Sequence, residues 1–167
     1  MNVKKVFLLS GPPGSGKSTF ARKCTGSRKV WVSRDNVRFL YLEPGDDYFS
    51  REDEVFETFI NLINDFLNEP EVEEIYIDAT HLTRRSRNLT LRKVNMKNVS
   101  ELNCICFTAP LDICLERNAL REGRARVPVD VIKKMYSSIQ TPTKEEKFTH
   151  VYTYDENENM REVNING

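Results

Sequence analysis

The sequence predicts an α/β domain in which a mostly parallel sheet is covered by helices on both faces. Three observations carry this. Apolar strand-like runs alternate with helix-like stretches along the 167 residues. The first run, Val6-Phe7-Leu8-Leu9, leads into a glycine-rich turn that opens a helix. No internal repeat, low-complexity tract or linker divides the chain, so one domain over residues 1–167 is expected.

Taken in order, Val3 to Leu9 reads as a buried strand, followed by the turn and a helix that stops near Cys24 and Gly26. Lys29 to Ser33 is a second short strand, and Ser33 is placed to cap a helix from Arg34 to Leu42 that Pro44-Gly45 ends. A longer helix runs from Ser50 to Pro70, with Ser50 and Asp53 at capping-box spacing. Its apolar positions Val55, Phe56, Phe59, Ile60, Leu62, Ile63, Phe66 and Leu67 recur at three- and four-residue intervals, which makes one broad face a core face. Glu74 to Asp78 is a third strand, Arg84 to about Asn98 a basic helix, and Leu102 to Phe107 a fourth strand. Pro110 opens a helix to about Glu122, and Pro128 opens another through Met135 and Ile139. Phe148 to Tyr154 reads as a last strand, and the polar tail beyond it has no assignment.

The turn after the first strand is Gly11-Pro12-Pro13-Gly14-Ser15-Gly16-Lys17-Ser18-Thr19, which fits G-x-x-x-x-G-K-[ST] at every fixed position. In such a loop glycines let several main-chain N–H groups face one oxyanion, and the helix beginning near Lys17 adds the positive end of its dipole. The expected guest is ATP: Lys17 reaches the β- and γ-phosphates, and the Ser18 hydroxyl ligates Mg²⁺. The fold expected is therefore the P-loop NTPase fold, with ligands at the carboxyl ends of the strands.

Composition narrows the function classes. Lys+Arg and Asp+Glu balance at 25 each, so net charge demands no nucleic-acid partner. The charges are nevertheless segregated: Glu43 to Glu57 is acidic apart from Arg51, and Arg84 to Lys93 has basic residues and no acid. Cys24, Cys104, Cys106 and Cys114 show neither C-x-x-C nor paired histidine spacing, so zinc and redox motifs are unsupported, and Cys104 and Cys106 are expected to share one sheet face as small hydrophobes. Without a signal peptide or an apolar run of spanning length, the expectation is a cytoplasmic protein with no membrane partner.

Polar groups at the second and third strand ends complete the candidate site. Asp78 closes Ile75-Tyr76-Ile77, where nucleoside triphosphatases place a carboxylate beside Mg²⁺; capping the following loop is its alternative role. Asp35 is positioned to accept the proton of an attacking hydroxyl, or simply to favour a helix N-terminus. Arg38, one turn on, can grip an acceptor's phosphate bidentately. Arg117, Arg121, Arg124 and Arg126 crowd the Gly123 break, the composition of a helical lid that closes over bound phosphates. His81 reads as a local hydrogen-bond partner.

These residues resemble the kinase domain of the bacteriophage-type polynucleotide 5′-hydroxyl kinases. The likeness rests on the loop itself, on Arg34-Asp35-Asn36-Val37-Arg38, on Asp78-Ala79-Thr80 followed by Arg84-Arg85, on Arg117-Asn118, and on Val127-Pro128-Val129-Asp130-Val131-Ile132, in order from about Val6 to Ser138. The resemblance implies ATP-dependent phosphorylation of the 5′-hydroxyl end of DNA or RNA. Carried over by position, Lys17 and Ser18 hold ATP and Mg²⁺, Asp35 is the general base, Arg38 binds the acceptor's phosphate and Asp78 supports the site. The lid arginine falls on Arg121 counted forward from Arg117-Asn118, with Arg124 the second choice. Two departures stand out: Asn36 replaces a second aspartate common in the family, and 167 residues leave no room for the phosphatase domain that the phage enzyme carries. The competing readings are a P-loop kinase for a nucleoside, nucleotide or sugar, and a nucleotide-binding module without turnover, which would need no base at Asp35. Oligomeric state is open.

Overall fold

The computed structural model describes residues 3–165, so the first and last two residues of the expected domain lie outside the described ones. Six strands form one sheet in the order β2-β3-β1-β4-β5-β6. They are β1 (Lys4–Ser10), β2 (Lys29–Ser33), β3 (Glu74–Asp78), β4 (Val99–Phe107), β5 (His150–Tyr154) and β6 (Met160–Val163). The first five run parallel, and β6 returns antiparallel to β5. The helices are α1 (Lys17–Cys24), α2 (Arg34–Tyr41), α3 (Glu52–Leu67), α4 (Arg84–Leu91), α5 (Leu111–Ala119) and α6 (Val129–Ser137).

The pleat sorts the core into two clusters. Val6, Leu8, Ile75 and Ile77 meet Phe59, Ile60, Ile63 and Leu67 of α3 on one face. Leu9, Tyr76, Ile105 and Phe107 meet Ala21 and Phe20 of α1 on the other. The α3 stripe expected from its periodicity is the buried face of that helix. Cys104 and Cys106 share a sheet face, with their sulfurs 4.0 Å apart. Lys4 buries its stem and donates from Nζ at 2.6 Å to the carbonyls of both Glu69 and Val72, satisfying the end of α3 and the turn after it.

Several boundaries differ from the sequence reading, among them α5, which ends at Ala119 rather than about Glu122, and β5, which starts at His150 rather than Phe148. The Ser50–Asp53 capping box does not form: Ser50 N–H turns back to Asp47 C=O, and Arg51 caps α3 without a side-chain bond. α4 stops at Leu91 instead of near Asn98. Asn64 of α3 clips the following turn by accepting from Asn95 N–H at 2.8 Å and donating to Lys93 C=O at 3.1 Å, while Val94 is drawn into the core. β4 starts at Val99, earlier than expected, because Lys4 and Lys5 pair with Val99 and Glu101. In the tail without an assignment, β6 pairs with β5 across the turn after Tyr154.

Register brings the predicted strand ends together. Asp78 lies opposite Leu9 on one side and Ser33 on the other, so β1, β2 and β3 finish at one level and their polar ends share an edge.

Candidate active site

The phosphate loop connects β1 to α1 and packs hard against its surroundings. Gly14 has φ +83°, and a Cβ there would lie 2.4 Å from the Cys114 carbonyl of α5; Gly16, with φ +103°, is the residue that turns the chain into α1. The first helical bond runs from Phe20 N–H to Gly16 C=O, so the amides of Lys17, Ser18 and Thr19 precede the ladder at the helix start beside the loop. Ser15 Oγ is buried with no partner among the described residues. Lys17, itself buried, donates to Pro12 C=O at 3.2 Å. Burial pulls its ammonium below the usual lysine range, against the opposing pull of Asp78 and Asp35. A cradle of unpaired amides, a desolvated cation and an orphaned hydroxyl together fit a polyphosphate.

Asp78 is buried at the end of β3, and one oxygen, Oδ2, accepts from Ser18 Oγ at 3.2 Å and from Trp31 Nε1 at 3.0 Å. Burial pushes its carboxyl up, and Lys17 and the two donors hold it back. A hydroxyl and a carboxylate converging from β3 and α1 are hard oxygen donors of the kind Mg²⁺ takes, so the residues fit that ion.

Asp35 lies in the first turn of α2, which is capped by Ser33 Oγ accepting from Asn36 N–H at 3.2 Å. Its Oδ1 accepts from Arg38 Nη1 and from the Tyr48 hydroxyl. Burial and the adjacent carboxylate push the Tyr48 phenol above its ordinary value, so it stays protonated and donates. Arg38 is buried, with its guanidinium 4.3 Å from the centre of the Tyr48 ring and Nε 2.7 Å from Glu52, and Glu52 also takes Arg34 at 2.9 Å. Arg38, expected on an acceptor's phosphate, lines the larger cavity and pairs with Glu52 through Nε and with Asp35 through Nη1.

Two cavities are lined in part by the phosphate loop. One, of about 540 Å³, is lined by Gly14 to Gly16, Thr19, Phe20, Arg117, Arg121 and the β5–β6 turn. The other, of about 940 Å³, is lined by Pro13, Lys17, Asp35, Arg38, Asp78 and the segment Arg124 to Met135. Arg117 ties the first together, donating at 3.3 Å both to Gly14 C=O and to Glu156 C=O of the turn. Arg121, the arginine reached by counting forward from Arg117-Asn118, lines that cavity. Arg124 does not: its Nη1 donates to Leu42 C=O at 2.9 Å and its guanidinium lies over Phe39, on the far side, because the segment around the 3-10 turn Gly123–Ala125 crosses to α2. Asn118 closes that nine-residue excursion, donating to Val127 C=O at 2.7 Å and accepting from Val127 N–H at 2.9 Å.

His81 stands behind the site. Its Nδ1 lies 2.9 Å from Leu9 C=O, which can only accept, so Nδ1 carries the proton and Nε2 accepts from Thr90 Oγ1 at 3.0 Å. Burial drops this imidazole to about 3, so it is a neutral brace between β1 and α4. Sequence reasoning missed Trp31, Tyr48, Glu52 and the β5–β6 turn. Trp31 alone had a signal: in parallel register it stands opposite Tyr76, two residues before Asp78, and so on the face of Asp78.

A family model described as AAA domain, AAA_33, matches residues 6–142. Among solved structures, one of the Pnkp1/Rnl/Hen1 RNA repair complex superposes with a TM-score of 0.68 at 21% identity, over 100% of this chain and 50% of that one. This chain thus spans half the length of that relative. A fungal RNA kinase superposes with a TM-score of 0.61 at 15% identity, over 92% of this chain and 75% of that one. A gluconokinase from Sinorhizobium meliloti 1021 gives 0.54 at 16%, over 93% and 84%. At these identities the likeness is one of fold, and it agrees with the mostly parallel P-loop sheet.

Proposed function

The chain belongs to the AAA_33 family of AAA domains, and from that premise we propose that it is a kinase that moves the γ-phosphate of ATP to the 5′-hydroxyl end of DNA or RNA. The observation that carries the reading is the pair of cavities on the phosphate loop, one lined by Gly14 to Gly16 and the other by Lys17 and the Asp35 carboxylate. A binding module needs only the first.

In this reading ATP lies with its base and sugar in the smaller cavity and its phosphates on the amides of Gly16 to Thr19. Lys17 leaves Pro12 C=O for the β- and γ-phosphates, and Arg121 adds charge from the lid. Ser18 and Asp78 would hold Mg²⁺, which draws charge off the phosphate oxygens as the bond to the leaving ADP breaks. The acceptor hydroxyl enters the larger cavity, and Asp35 orients it and takes its proton as the new P–O bond forms. Tyr48 and Arg38 fix the carboxylate that does so.

The polynucleotide acceptor is supported by the motif order around Asp35, Asp78 and Val127-Pro128, and by the RNA repair and RNA kinase relatives of the same fold. The gluconokinase keeps a small polar acceptor as the second reading. Labelled ATP with Mg²⁺, offered against 5′-hydroxyl oligonucleotides, nucleosides, monophosphates and gluconate, separates them. Label on the oligonucleotide end is the expected result; label on small acceptors alone would reject the polynucleotide, and label nowhere would reject the kinase.

A further inference from the structure

Helix α4 carries charge that the fold does not use. Residues 83–98 hold six basic side chains and no acid, and among the described residues Arg87 alone of them is neutralised, buried with its Nε 2.7 Å from Glu146. Helical period sends Arg84, Arg85 and Arg92 outward. Arg84, Asn88 and Arg92 recur every four residues with Arg85 beside them, on the side away from the buried Arg87 and Thr90. The guanidinium groups of these three exposed arginines have no ion pair, ring contact or hydrogen bond among the described residues.

Helix stability does not account for this placement. Arg84 and Arg85 occupy the first turn of α4, where the positive end of the helix dipole repels cations, and no acidic residue stands there to offset them. The capping box of Thr83 and Ser86 already satisfies that end.

The stripe begins beside the acceptor cavity. Thr80 and Met135 of α6 both line that cavity, and Gln140, just beyond α6, ties their segments to α4. Its N–H donates to Leu82 C=O at 2.8 Å, and its Oε1 accepts from Arg84 N–H at 3.0 Å. Asp46 and Asp47, on the loop after α2, also line the cavity and repel a strand of phosphates. A polyanion leaving the cavity is therefore turned from the acidic loop toward α4.

We propose that the exposed face of α4, through Arg84, Arg85 and Arg92, is a track for the backbone of the acceptor strand beyond its reacting end. The inference rests on the polynucleotide reading and leaves the phosphate next to the reacting nucleoside to Arg38. Thr80 and Arg84 are at most about 14 Å apart along the chain, so the track meets phosphates roughly four nucleotides from the reacting hydroxyl. From Arg84 to Arg92 it runs about 12 Å, the length of about three phosphates in a stacked strand. Contacts to phosphate carry no sequence information, so the track adds affinity for long acceptors without base preference.

The test uses the full chain and a triple variant combining Arg84→Gln, Arg85→Gln and Arg92→Gln. The acceptors are a 5′-hydroxyl dinucleotide and a 5′-hydroxyl single strand of about twelve nucleotides, long enough to cover the track. In wild type KM should be at least about tenfold lower for the longer strand, and the triple variant should lose that advantage while kcat and the dinucleotide KM stay within about twofold. Anisotropy of the longer strand without ATP should show the slope of log affinity on log salt lowered by about 2, at roughly 0.7 per strand phosphate released. The melting temperature should not fall, because the replaced side chains are exposed and two of them oppose the helix dipole. Equal KM for both acceptors in wild type, or a length advantage that survives in the triple variant, would overturn the track and leave the kinase reading intact. Loss of binding to poly-glutamate with the oligonucleotide unaffected would assign the face to an acidic protein instead. Should wild type phosphorylate only small acceptors, the polynucleotide reading falls and the track falls with it.

Discussion

The indole N–H of Trp31 lies 3.0 Å from Oδ2 of Asp78, the oxygen that also accepts from Ser18. Two donors on one oxygen fix the carboxylate's rotation at the edge of the larger cavity, which Asp78 lines. Trp31 is the only tryptophan in the chain, so all tryptophan emission comes from the residue bonded to this carboxylate. Adding Mg²⁺ to the ADP complex should shift or quench that emission, and ADP with a chelator should do so less. Trp31→Phe should weaken Mg²⁺ affinity in calorimetry by about tenfold, the scale of losing a group that orients a metal ligand. An unchanged affinity would reduce Trp31 to a core residue.

Asp35 and Tyr48 separate the roles of base and support. Asp35→Asn should lower turnover about a hundredfold or more while ADP affinity stays nearly intact, because the amide cannot take the acceptor's proton. Tyr48→Phe removes one of two donors from the same oxygen and keeps the ring under Arg38, so turnover should fall by about tenfold with little change in KM for ATP. Equal kcat in both variants and wild type would remove the carboxylate from the chemistry.

Gly14→Ala tests the loop's packing. The new Cβ would lie 2.4 Å from the Cys114 carbonyl, and the backbone sits at φ +83°, so both space and conformation oppose it. A loss of about 2–3 kcal/mol in denaturant unfolding is expected, together with weaker ADP binding. Gly26→Ala, where a Cβ meets nothing within 4 Å, should stay within about 0.5 kcal/mol of wild type.

The sheet and the nucleotide half were legible in the sequence because their signals are local. The motif from Gly11 to Thr19 is contiguous, and α3's stripe follows from helical period. Asp35 and Asp78 were found because each ends a recognisable strand or starts a capped helix. The rest depends on contacts between distant residues. Glu52 meets Arg38 across 14 positions, and Arg124 meets Leu42 across 82, so no spacing rule predicts that one arginine meets a carboxylate and the other a main-chain carbonyl. The end of α4 was misread for the same reason: helix propensity continues past Leu91, and the side chain of Asn64, 31 residues before Asn95, overrides it.

His81 gives the fold a dependence on pH whose sign can be worked out. In the unfolded chain its imidazole takes a proton near the ordinary value of 6.5, whereas burial between Leu9 and Thr90 holds the folded group at about 3. Between those values the unfolded state carries one more proton, so stability falls as pH falls, by about 1.4 kcal/mol per pH unit. Its φ of 43° is one that asparagine also adopts, and an asparagine amide can still donate toward Leu9 C=O. His81→Asn should therefore fold and lack this contribution: from pH 6.5 to 5 wild type should lose about 1.6 kcal/mol more than the variant in urea unfolding. Because the difference between the two proteins is read, carboxylates that titrate over the same range cancel. Parallel stability curves would show that the folded imidazole takes a proton as readily as the unfolded one, and burial would then not hold the ring neutral.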